Sequence, residues 1–289
     1  MRFIHRVLSD SRASGFTGVP ELAKTEDVET VLTLVGRHYD AQEWLAGEPL
    51  SGVRSDSEPM PNVVVSLSPA RIAGLATALA RFHSSTARPY KHGYNANPLS
   101  ARLTQLTRDV EARHNTLLSN VQVRARGEER DVALRWLGLL PSAVGYASSD
   151  TLPETAPEDY VPCHGDLWPA HVHFDGDTFV GFTDFESLCF ATPALDLAQT
   201  VLHFGGWEIR EDVMQSYETI AALNGRNHRA TLLAEAVVDL AGEGYWSLEA
   251  LYGDASSRTT PMQRAAHTLN LRKFIGSLEQ VVEEMEMGG

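Results

Sequence analysis

Cysteine is almost absent. The chain has two in 289 residues, Cys163 and Cys189, too few for a disulfide framework, and both read as small buried thiols. Lysine is nearly as scarce, with only Lys24, Lys91 and Lys273. Positive charge as a whole is in deficit: 24 Lys and Arg against 38 Asp and Glu leave a net charge of −14. A field of that sign opposes non-specific nucleic-acid binding, which needs clustered cations. It leaves room for an anionic nucleotide, because local donors and a divalent cation override the global charge. Long apolar runs are missing too. None approaches the roughly 18 residues that suggest a membrane helix, and MRFIHRVLSDSRASGF has no apolar h-region of a signal peptide. The expectation is a cytoplasmic protein that engages neither membrane nor nucleic acid.

What is present is the composition of a globular chain, 43% hydrophobic and long enough for two lobes or one large domain. Residues 2–10 read as a short amphipathic helix that ends at the breaker SRASGFTGVP. Two strand-like runs follow, ETVLTLV (29–35) and HYDAQEWL (38–45), turned at Gly36–Arg37. The Gly-, Ser-, Pro- and Asp-rich stretch 46–62 reads as a linker. Ser68–Pro69 predicts a helix start, because serine caps and proline suits the first turn. Further helices are predicted over 98–120 and 127–147, then a polar loop over 148–159. HVHF and TFVGFTDF read as a hairpin turned by Asp175-Gly176-Asp177, and from Ala194 the pattern is helical to residue 286.

Ionisable chemistry concentrates in CHGDLWPAHVHFDGDTFVGFTDFE, residues 163–186, with three histidines and five carboxylates. A hairpin after the loop returns the chain to where it left, so Asp166 and Asp184 can face one point. Phosphoryl transfer needs such a pair, one carboxylate to orient a hydroxyl and one to hold a metal on the phosphates.

His164-Gly165-Asp166, then Leu167-Trp168-Pro169-Ala170, then His171, then a hairpin ending in Asp184-Phe185-Glu186, resembles the aminoglycoside phosphotransferase and choline kinase family. Pro193-Ala194-Leu195-Asp196-Leu197-Ala198, Ala80-Arg81-Phe82-His83 and HYDAQEWLAGEPL resemble that family's helix start, helix end and hinge. The resemblance implies an α+β, protein-kinase-like two-lobed fold. Residues 1–50 would form a truncated N-lobe, a helix with two strands and the hinge, and 51–289 a mainly α-helical C-lobe. It implies an ATP-dependent phosphotransferase acting on a small-molecule hydroxyl. Asp166 would be the catalytic carboxylate, with His164 of the same motif. Asp184, His171 and Glu186 would hold Mg²⁺ or Mn²⁺. Gln42, Glu43 and Trp44 would carry the adenine, and Asp196 would pin the loop.

Two departures stand out. The family places asparagine where this chain has His171, and imidazole is a softer ligand than an amide oxygen. Nor does a Gly-rich loop and strand lysine precede the first helix, which predicts an exposed sheet edge and an open nucleotide cleft. The opening MRFIH begins inside the family pattern, so a shortened version of a longer protein is expected ahead of a minimal homologue. Both departures also suit a binding protein without turnover. A third reading is a metal-dependent hydrolase built on Cys163, His164, His171 and His173. For the acceptor, Trp207, Tyr245, Trp246 and Tyr252 are candidate pocket aromatics. Glu208, Glu211, Asp212, Glu235, Asp239 and Glu243 are candidate partners for an amino group.

Overall fold

Ser68 and Pro69 do open a helix. Ser68 Oγ accepts from the Arg71 N–H (3.4 Å), and α2, Pro69–Ser84, buries Ile72, Leu75, Leu79, Phe82 and His83 at helical spacing. The structure is a computed structural model that describes residues 2–27, 29–50, 63–85, 96–148, 159–223, 228–253, 256 and 259–288. Most of the linker at 46–62 and of the loop at 148–159 lies outside those residues.

Ahead of α2 come α1 (Arg2–Ala13), the hairpin β1 (Leu32–Leu34) and β2 (Arg37–Tyr39), and β3 (Glu48–Pro49). The strands are shorter than the apolar runs suggested. The turn is Val35–Gly36 rather than Gly36–Arg37, since Leu34 pairs with Arg37 and both turn residues have positive φ (49° and 72°). That is the geometry of a type I′ turn. Every residue of β1 and β2 is exposed, Leu32 and Leu34 by half or more, as expected of an uncovered sheet.

After α2 the chain builds α3 (Leu99–Arg124) and α4 (Gly127–Ala147), then β4 (Val161–Cys163). The hairpin β5 (Val172–Asp175) and β6 (Thr178–Phe182) follows, with β3 added antiparallel to β5. A two-stranded pair, β4 with β7 (Cys189–Ala191), sets Cys163 opposite Cys189. The remainder is helical: α5 (Ala194–Phe204), α6 (Arg210–Glu218), α7 (His228–Tyr252) and α8 (Pro261–Gly288). All eleven residues of α5 are buried, so it runs through the middle of the helical part, packed on α7. Among the described residues no helix is long and apolar enough to cross a membrane.

Candidate active site

The loop after β4 crosses the turn that carries Glu186. Gly165 has φ +80°, and a Cβ there would stand 2.5 Å from the Ser187 carbonyl oxygen, so the crossing requires glycine. α5 grips this loop from beneath by its main chain. Asp196, fully buried, accepts from the N–H of His164 (2.7 Å) and of Gly165 (3.0 Å), and from His83 Nε2 (3.0 Å). Gln199 accepts from Leu167 N–H (2.9 Å) and donates to Gly165 O (3.3 Å). His203 Nδ1 donates to Leu167 O (2.8 Å), and its ring stacks on Trp168 at 4.0 Å. Positions 196, 199 and 203 share one helix face. Sequence reasoning reaches Asp196 but not Gln199 or His203. The available signal is their polarity at that spacing in the otherwise mostly apolar ALDLAQTVLHF.

Burial alone would raise the Asp196 carboxyl. The hydrogen bond and charge of His83, the charge of His164 and the Gly165 N–H outweigh it and hold the group below its ordinary 3.8. Burial lowers His164 below 6.5 against the opposing pull of Asp196, which leaves a neutral ring at pH 7. His164 Nε2 lies 2.8 Å from Thr183 O and so carries the proton, while Nδ1 accepts from Asp166 N–H at 3.4 Å. His164 therefore ties the Asp166 turn to the strand end beside Asp184 and offers no free ring nitrogen.

Asp166 and Asp184 are both about half exposed and lie on either side of His171. His171 Nδ1 donates to the Asp166 carbonyl (2.8 Å) and is 3.9 Å from Asp166 Oδ2. Its Nε2 then carries a bare lone pair in the neutral ring, 3.4 Å from Asp184 Oδ2. Asp184 itself is in the left-handed region, φ 60° and ψ 65°, a conformation that costs a non-glycine residue about 1 kcal/mol and is typical of functional positions. An imidazole lone pair beside a carboxylate, with the far ring nitrogen fixed by a carbonyl, is a donor set that fits a divalent cation. Glu186 is exposed in the following 3-10 turn and is not gathered with that pair.

The hydrolase cluster does not converge. Cys163 is buried and donates to the carbonyls of Ala191 and Thr192, and burial pushes its thiol well above the ordinary range and that of Cys189 to about 12. Among the described residues the one grouping of three potential ligands is His83, Cys163 and Asp196, which is buried behind the loop.

At the hinge, Glu43 N–H donates to Glu21 O (2.7 Å), and Glu43 Oε2 accepts from Arg12 (2.6 Å). Gln42 Nε2 donates to Asp40, and Trp44 is 76% exposed. On the acceptor side, Trp207, Tyr245 and Tyr252 are core residues, and Trp246 is exposed on α7. Glu235 is buried in a bidentate pair with Arg102. Asp239 faces His203 Nε2 at 2.9 Å. Glu243, one turn along α7, is pushed up to about 7 by burial and by Asp239, with a smaller push from Asp166. Glu208, Glu211 and Asp212 are exposed around the start of α6.

Several solved structures share the fold. An aminoglycoside phosphotransferase from Alicyclobacillus acidocaldarius subsp. acidocaldarius DSM 446 aligns with TM-score 0.62 and 18% identity over 98% of this chain and 83% of its own. The spectinomycin phosphotransferase APH(9)-Ia, solved with ADP and spectinomycin, gives 0.62 and 13% over 99% and 82%. A choline/ethanolamine kinase family protein from Mesorhizobium loti gives 0.52 and 16% over 100% and 84%. A search of curated protein sequences finds no match. At these identities the structures show a shared fold, the kinase-like one. The model of the phosphotransferase enzyme family matches residues 1–231, and the chain belongs to that family.

Proposed function

We propose that this protein transfers the γ-phosphoryl group of ATP to the hydroxyl of a small molecule that also carries an amino group. The observation that carries the reading is the placement of Asp166 and Asp184, from different elements, at 3.9 and 3.4 Å from the two nitrogens of one imidazole. Asp166 accepts the hydrogen bond of the acceptor hydroxyl and takes its proton. Asp184 and His171 hold the divalent cation, Mg²⁺ or Mn²⁺, with Glu186 reaching it through water. When bound, that cation neutralises charge on the phosphates. His164 and Asp196 touch no substrate and act by positioning. The adenine rests against Gln42, Glu43 and Trp44, in the part up to residue 50, and the acceptor lies against the helical remainder. Asp239, Glu243 and Trp246, at helical spacing on α7, supply carboxylates and a ring face for an ammonium group. The spectinomycin-bound neighbour sets the kind of acceptor to try first.

The test is product formation from ATP with a panel of amino-bearing alcohols, followed by phosphorus NMR. Asp166→Asn should lower the rate by about 10²-fold or more with the melting temperature unchanged; a fully active variant sinks the assignment. Binding without turnover is the second reading. It is favoured by the two described lysines: Lys273 is engaged with the Val64 carbonyl (2.8 Å), and Lys24 is exposed and unpaired among the described residues, while Lys91 lies outside them. Nucleotide binding with no product across the panel would favour it.

A further inference from the structure

Between the end of α1, the outer face of α2 and the strand β6 lies a cleft of about 820 Å³, and none of the proposed catalytic residues lines it. Its floor is α2, where Ala73, Gly74, Thr77 and Ala78 present small side chains over more than a turn, so the floor is flat. One wall is aromatic. A Cβ on Gly18 would meet Phe16 at 2.6 Å and Phe179 at 2.9 Å, so the two rings close over that glycine.

Charge in the cleft is one-sided. Among the described residues its only ionisable lining groups are Arg81 and Asp177. Asp177 is neutralised by Arg71, whose guanidinium binds its carboxylate at 3.0 Å and the Gly176 carbonyl at 2.6 Å. Arg81 makes no hydrogen bond or ion pair with any described residue. It stands one turn beyond Thr77 on the same face of α2. In a chain of net charge −14 this is a cleft with a positive end that no described residue compensates and a flat, partly aromatic body.

We infer that this cleft is a second small-molecule site, and that its ligand is a small aromatic carboxylate. The carboxylate takes two parallel N–H bonds from the Arg81 guanidinium, whose planar fork suits that geometry. The ring lies on the α2 floor against Phe16 and Phe179. β6 joins the two sites: Phe182 N–H donates to Gly18 O at 2.8 Å, and Asp184 follows two residues later.

The experiment is a saturation-transfer NMR titration of the whole chain with benzoate, with benzyl alcohol and benzamidine as uncharged and cationic relatives. Benzoate should bind, and ATP should not displace it. Arg81→Met should weaken benzoate about tenfold or more, the value of a lost charge-assisted hydrogen bond. Thr77→Trp, which fills the floor, should abolish binding. An unchanged melting temperature shows that each variant is folded, and Arg81→Met carries the test alone if the tryptophan is not accommodated. No transfer to benzoate, displacement by ATP, equal affinity in Arg81→Met, or benzamidine binding as well as benzoate would each overturn the inference. The readout needs no phosphoryl transfer, so it stands or falls apart from the catalytic reading.

Discussion

At Asp196 three donors converge on a carboxylate that has no access to water. Removing it leaves two buried N–H groups and an imidazole without their acceptor, so Asp196→Ala should cost about 3–5 kcal/mol in urea unfolding. The sign of its pH dependence follows from a folded-state value below 3.8. Its contribution is complete above the unfolded value and is lost as pH falls through the folded one, so the wild type should lose stability below about pH 4 more steeply than the variant. Glu243 has the opposite sign. Its carboxyl is raised from 4.5 to about 7, so the folded state holds a proton that the unfolded state releases, and stability falls as pH rises between those values. In Glu243→Gln a plot of melting temperature against pH should be flatter across that window. A slope equal to the wild type's would show that the group is not desolvated.

Elements with local signals were readable. α4 spans Gly127–Ala147 as its apolar spacing predicts, and α2 starts at the Ser68–Pro69 cap, because caps and helical period are written within a few residues. The site's loop and hairpin were readable for the same reason. The β1–β2 turn was not, since Val35 takes φ 49°, which a β-branched residue resists. Val35→Asn should therefore stabilise the hairpin by about 0.5–1 kcal/mol in thermal unfolding. The short β3 and β7 exist only through their partners, and the hold of Gln199 and His203 on the loop exists only once α5 lies under it. Gly165→Ala tests the loop crossing. A methyl 2.5 Å from a carbonyl oxygen cannot be accommodated without moving Asp166 or Ser187, so catalysis should fall with stability.

Across the whole molecule, the strand-bearing end carries Leu32, Leu34, Val35 and Trp44 in the open, while the chain as a whole is strongly acidic. Mutual repulsion keeps such edges apart and is screened by salt. Sedimentation should show association growing with ionic strength, and Leu34→Lys should suppress it. Nucleotide with a divalent cation at about 100 times its dissociation constant should add roughly 2.7 kcal/mol, seen as a rise of a few degrees in melting temperature. The hold of α5 on the loop has a consequence for how such a molecule could be rewritten. Asp196, Gln199 and His203 hold the loop by its peptide groups, and the Trp168 ring is stacked on His203 as well. Ala170, partly exposed just past the gripped stretch and next to the buried Pro169, can thus be treated as an interchangeable position: a library there could be screened for new acceptors while the chemistry beside it stays clamped.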